Sequence, residues 1–267
     1  MTLNTNMRFR LAGRVEVVTG ELVVPIASAT VRGLFSALLL EAGSYVTRER
    51  LIESLWDDPP KSAGENLRGY VWRLRQQLTV AAEGLADRLA TLVGHSGGYA
   101  MLVPPHQVDV FQFSELAARG SAQLRAGALA EAAASFGHAL KLWQGPVGQG
   151  CAASRTMQAR FRSLEQLQLT VRERLAHVRL VEGRSAELIP DLQTMVGAAP
   201  YREVSWALLM RASYLAGDIA GAMATWQAAT STLAEKFGLD PSEEFRNLHL
   251  SVLQRDENRV RNGVLRL

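Results

Sequence analysis

Gly127 is followed by Ala132, Phe136 and Ala139, and Gly217 by Ala222, Trp226 and Ala229, the same offsets 90 residues apart. Steps of four and then three return a side chain to one face of a helix. Each set therefore describes a helix with a small–aromatic–small stripe, opened by a glycine turn. A degenerate copy lies between them: Gly183, then Leu188, Leu192 and Met195 at identical offsets. Repetition on this scale calls for helical hairpins stacked against one another. Alanine-rich hairpins without a true repeat are the alternative that the spacing leaves open.

The small-x3-aromatic spacing belongs to the second helix of a tetratricopeptide unit, where small residues let paired helices approach and an aromatic fills the gap. Trp206 falls where such a unit carries its first-helix tryptophan. Residues 105–267 are read as an all-α, tetratricopeptide-like domain, with Pro104-Pro105 as its boundary. A fragment ending near that boundary is expected to fold by itself.

Upstream the pattern changes. Met7, Phe9 and Leu11 share one face, Val15 and Val17 follow, and Leu22–Val24 closes the run, with turn signals at Gly13-Arg14 and Thr19-Gly20. This predicts a small antiparallel sheet, with Met1–Asn6 outside it as a disordered tail. Val31, Leu34, Phe35, Leu38 and Leu39 predict a helix over Thr30–Glu41, ended by Gly43. Thr47 is the expected cap of a second helix, Arg48 to Trp56, whose Leu51, Ile52 and Leu55 face inward. Asp57-Asp58-Pro59-Pro60 stops it, and Ser62 opens a third helix with Glu65 at capping-box spacing. Leu89–Val93 and Tyr99–Val103, on either side of His95-Ser96-Gly97-Gly98, read as a hairpin. Sheet, three helices and hairpin make a winged helix-turn-helix over residues 1–104. The fold class is thus mainly α, a winged helix followed by helical repeats.

Residues 66–78, NLRGYVWRLRQQL, carry the chemistry. Leu67, Val71, Leu74 and Leu78 share one helix face, and the opposite arc bears Gly69, Trp72, Arg73 and Gln76, with Arg68 and Arg75 beside it. No acid falls between Glu65 and Glu83. An apolar back, an arginine-bearing front and one glycine for close approach suit an anionic partner. The phosphate-lined major groove of double-stranded DNA is the leading candidate, and a solvated basic face is the plainer alternative.

Charge supports a local patch and nothing more. The net charge is +3; residues 1–104 hold 11 Lys/Arg against 10 Asp/Glu, and the remainder 18 against 16. Three of the 29 basic residues are lysine, and arginine forks bidentately onto phosphate and guanine, although a GC-rich genome gives the same bias. Other chemistries find no footing. His95, His106, His138, His177 and His249 are scattered, with no pair at i, i+4, so no metal site is expected. Neither nucleotide-binding glycine motif occurs, so no cofactor is expected. Without a G-x-S-x-G elbow or a catalytic dyad, no catalytic residue and no enzyme is expected. Cys151 is alone, which excludes an intramolecular disulfide. No secretory signal opens the chain, and the apolar run near Leu34–Leu40 is too short to span a bilayer. The chain reads as cytoplasmic, with no membrane partner.

Together these blocks resemble the Streptomyces antibiotic regulatory protein family of transcriptional activators, from Met7 to about Gln254. LLLEAGSYVTRERLIESLW, YVWRLRQQL and SGGY resemble OmpR/PhoB-type winged helices. ALKLWQGP, MVGAAPYREVSWALLMRASYLAGDIAGAMATW and LAEKFGLDPSEEFRNL resemble the bacterial transcriptional activator domain. With no receiver domain before the winged helix and no ATPase module after the helices, the chain is similar to the family's short form, pathway-specific activators of antibiotic gene clusters.

The resemblance implies a sequence-specific, nucleoid-associated activator. It would bind direct repeats in promoters as a homodimer and recruit RNA polymerase holoenzyme through its sigma and alpha subunits. It places Arg73 and Arg75 at bases or nearby phosphates, Tyr70 and Trp72 on the DNA backbone, and Trp56 on a phosphate. Arg48, Arg68, Gly69, Gln76, His95 and Ser96 complete the expected DNA-facing set. Two positions depart from the family. Trp72 stands where relatives carry a small polar or basic residue, so it either touches DNA or packs against the second domain. Ala100 stands where related wings carry a minor-groove arginine, so that contact is absent unless His95 substitutes for it. The competing function class is a helical-repeat interaction module whose winged helix contacts protein; salt-dependent binding to promoter duplex separates the two.

Overall fold

The computed structural model describes residues 7–81 and 97–262. The expected tail (1–6), the first wing strand (89–93) and the wing-tip residues His95 and Ser96 lie outside the described residues. The chain divides into two compact units. One is built from residues up to 118 together with 138–167, the other from 119–137 together with those from 168 onward.

In the first unit, β1 (Met7–Arg10), β2 (Glu16–Thr19) and β3 (Leu22–Pro25) form an antiparallel sheet in that order. Met7, Phe9, Leu11, Val15 and Val17 are buried, as the alternation requires. The helices α1 (Ala29–Leu39), α2 (Arg48–Leu55) and α3 (Ala63–Ala81) follow, and the whole predicted stripe of α1 is buried. Thr47 caps α2 through its hydroxyl, which accepts the Arg50 N–H at 3.3 Å.

Only the second strand of the expected hairpin falls among the described residues. That strand, β5 (Gly98–Ala100), is shorter than Tyr99–Val103 and pairs antiparallel with β4 (Tyr45–Thr47), Thr47 opposite Gly98. Met101 and Val103 leave the strand and enter the core. Three residues of β4 are too few to show a period, so only their partner reveals them as a strand.

The core of this unit does not stop at Pro104-Pro105. Val108 bridges to Phe9 at the entry to α4 (Asp109–Arg125), which is followed by α5 (Leu129–Lys141) and α6 (Arg155–Val181). Val108, Val110, Val147, Met157 and Phe161 share one buried cluster with Phe9, Leu34 and Phe35. The segment between α5 and α6 straps onto the winged helix: Gln144 N–H donates to Ala12 C=O (2.9 Å), Gly148 to Leu11 (2.8 Å), Ala152 to Ala29 (2.9 Å) and Ser154 to Ser54 (3.0 Å). Gly33 makes room for it, since a Cβ there would sit 2.0 Å from the Ala152 carbonyl oxygen. Asp57, read above as a helix stop, also accepts the Arg155 N–H at 2.8 Å, capping α6 where a helix N-terminus favours a carboxylate.

Asp109 fastens the same junction. Its buried carboxylate accepts the N–H groups of Leu11, Ala12 and Val110 at 2.7 to 3.0 Å. Burial outweighs these bonds and pushes its pKa up from 3.8 to about 6. The folded state therefore holds this proton more tightly than the unfolded chain. The associated stability is full below pH 3.8 and is lost as pH rises through about 6. Relative to Asp109→Asn, the wild type should lose roughly 3 kcal/mol across that window, at about 1.4 kcal/mol per pH unit. Urea midpoints followed across this range measure it; parallel profiles for the two proteins would rule it out.

In the second unit, α7 (Ser185–Ala198), α8 (Glu203–Leu215), α9 (Ile219–Phe237), α10 (Glu243–Leu253) and α11 (Glu257–Asn262) follow the end of α6. The repeat is a physical one. Gly127, Gly183 and Gly217 adopt φ of 75°, 82° and 86°, and a new helix begins two residues after each. At each turn the next residue donates to a carbonyl five back: Ala128 to Gln123, Arg184 to Arg179, Asp218 to Ser213. With the glycine N–H bonded three back, this is the Schellman arrangement, which needs a left-handed residue. Leu188, Leu192 and Met195 are as buried as Ala132, Phe136, Ala222 and Ala229, so the copy degenerate in sequence is intact in structure. Trp226 is only half-buried and stacks flat on His249, centroids 4.2 Å apart.

Candidate nucleic-acid interface

The back of α3 is sealed: Leu67, Val71, Leu74 and Leu78 are all within 3% of full burial. Its front stands open, with Arg68, Gly69, Trp72, Arg73, Arg75, Gln76 and also Thr79 exposed. Thr79 was missed by sequence reasoning, although continuing the four-and-three spacing past Gln76 reaches it. Arg68 lies 4.0 Å from Glu65 with both side chains mostly in water, a pairing of little energetic weight. Arg73 has no ion-pair partner among the described residues. A Cβ on Gly69 would meet nothing within 4 Å, so the fold itself does not need glycine there. What the missing side chain provides is an unobstructed approach to the helix backbone.

The aromatic candidates divide. Tyr70 and Trp56 are half-buried and lie against each other, centroids 6.0 Å apart, which ties the end of α2 to the flank of α3. Trp72 is 62% exposed, so its indole is not seated in a core. Arg48 is exposed at the first position of α2, and its N–H donates to Gly97 C=O at 2.7 Å, joining the wing root to that helix. Gly98 is required there, because a Cβ would lie 2.1 Å from the Val46 carbonyl oxygen. Ala100 is buried against this pairing, so its methyl does not extend the basic face.

The structure thus brings Arg68, Gly69, Trp72, Arg73, Arg75 and Gln76 onto one helix face, with Trp56, Tyr70 and Arg48 at its margin. Among the described residues no three His, Cys, Asp or Glu side chains gather to hold a metal, and no helix is long and apolar enough to cross a membrane.

Two family models match. Transcriptional regulatory protein, C terminal, covers residues 26–101, and bacterial transcriptional activator domain covers residues 108–253. The chain is 33% identical over 247 residues to the regulatory protein DnrI of Streptomyces peucetius, covering 91% of this chain and 90% of that one. It is 32% identical to the regulatory protein AfsR of Streptomyces griseus, across 96% of this chain but only 25% of AfsR. Among solved structures, Mycobacterium tuberculosis EmbR in complex with a low affinity phosphopeptide aligns at a TM-score of 0.83, 24% identity, 96% of this chain and 68% of that one, a likeness that speaks for the fold alone. A winged helix with an open basic helix, joined to helical repeats and matched along nearly its whole length by DnrI, places the chain in the Streptomyces antibiotic regulatory protein family of transcriptional regulators.

Proposed function

We propose that this protein is a sequence-specific, DNA-binding transcriptional activator of a secondary-metabolite gene cluster. The observation that carries the reading is the open face of α3, where Arg68, Arg73, Arg75 and Gln76 surround a glycine that the fold does not need. Arginine matches both phosphate and the guanine edge. In this reading residues 1–104 bind DNA in the nucleoid, and residues 105–267 engage the sigma and alpha subunits of RNA polymerase. Two copies bind direct repeats spaced by about one helical turn, roughly 10–10.5 bp, so that both lie on one side of the duplex. The antibiotic context rests on the family and on its likeness to DnrI and AfsR.

Binding to promoter duplex should weaken steeply with salt. Arg73→Ala should cost about 1–3 kcal/mol at the cognate site if it contacts a base edge, and would lower affinity for all sequences alike if it contacts only phosphate. Fluorescence anisotropy with labelled duplexes measures both. Salt-insensitive binding, or unchanged affinity of Arg73→Ala for every duplex, would defeat this reading and favour a winged helix that contacts protein.

A further inference from the structure

Of the five tryptophans, Trp72 alone is exposed; Trp56, Trp143 and Trp226 are half-buried and Trp206 is buried. One exposed aromatic needs no explanation by itself. Its surroundings supply one. Residues three and four apart are neighbours on a helix surface, so Arg68, Gly69, Arg75 and Gln76 bracket Trp72, and Arg73 follows it. The side over Gly69 is empty. The indole is thus a flat apolar plate standing beside a gap, inside a ring of hydrogen-bond donors.

We propose that Trp72 is a specificity-determining residue that reads thymine, its indole packing on the C5-methyl group in the major groove. The proposal rests on α3 being the helix that enters that groove. Guanine, adenine and cytosine carry no methyl at that edge, whereas thymine does. The guanidinium groups around Trp72 are matched to phosphates and purine acceptors. The indole, with one N–H and two apolar faces, is matched to the methyl. The gap over Gly69 lets the base edge come close enough for contact.

The test is selection of preferred sites from random duplexes with the wild type and with Trp72→Ser, followed by deoxyuridine in place of each selected thymine, which removes the methyl alone. The wild type should select thymine at one or two positions that Trp72→Ser no longer distinguishes, the rest of the motif being retained. Deoxyuridine at those positions should weaken the wild type about four-fold, the worth of one methyl withdrawn from water, and leave Trp72→Ser unaffected. Because the side chain is exposed, Trp72→Ser should melt with the wild type. Identical motifs for the two proteins would overturn the proposal, as would uniform weakening on every sequence, the sign of a backbone contact. A wild type that selects no motif at all would overturn it together with the DNA-reading role of α3, and that outcome is distinguishable because it needs no variant.

Discussion

A fragment that stops at Pro104 should fail to reach a single folded state, whereas one that runs to Leu167 should unfold cooperatively. The shorter fragment loses Val108, Val110, Val147, Met157 and Phe161, none more than 7% exposed. Burial of such side chains contributes roughly 1.5–3 kcal/mol each. Their combined loss is therefore on the order of 10 kcal/mol, comparable with the about 5–15 kcal/mol that holds an ordinary domain together. It also loses the Asp109 carboxylate, which leaves the N–H groups of Leu11 and Ala12 without their acceptor. Thermal melts by circular dichroism and amide dispersion in NMR spectra decide the matter. A sharp transition in the 1–104 fragment near that of the longer one would show that the strap adds nothing essential, and would restore the expectation of a self-sufficient winged helix.

Arg202→Ala should destabilise the second unit by about 3–5 kcal/mol, the cost of leaving the buried Glu173 carboxylate without its partner. Glu173 on α6 is 1% exposed. It accepts the Arg202 guanidinium through both oxygens, with Nε at 2.9 Å, and the Ser205 hydroxyl at 2.7 Å. Arg202 also donates to the Thr170 hydroxyl at 3.1 Å. These bonds fix the turn that leads into α8 against α6. The double variant Glu173→Leu with Arg202→Met should recover most of the loss, since well-packed apolar replacements for a buried pair are often neutral. Urea unfolding of the wild type and the two variants checks both parts. A single-variant loss below about 1 kcal/mol, the range of an exposed pair, would mean that water reaches the site.

What was legible in the sequence was whatever depends on near neighbours. Leu67, Val71, Leu74 and Leu78 lie within one helix, and their spacing alone separated the sealed back of α3 from its open front. The glycine turns were legible because left-handed φ selects glycine. The fourth turn of that kind was not. Arg255 adopts φ 56° between α10 and α11, with the same bonds from Arg255 to Val252 and from Asp256 to Ser251, and nothing in the sequence announces it. Asp109 and the strap were equally silent, since their partners lie about a hundred residues away along the chain. Burial of an acid at the start of a helix leaves no local signature. The site residues on α3 gathered as the spacing required, while the division of Tyr70 and Trp56 from Trp72 depended on packing between two helices that no single-helix pattern contains.

Arg211 sets an order of events. It is fully buried on α8, and its guanidinium donates to the carbonyls of Val260, at 2.8 Å, and Arg261. The third contact is the His177 ring nitrogen at 3.2 Å. The two carbonyls belong to α11, some fifty residues later in the chain. A cation cannot be withdrawn from water before its acceptors arrive. The charge on α8 therefore stays wet until α11 docks and brings the two carbonyls to it. Burial of α8 in this unit is thus coupled to the docking of α11, the last of the described helices.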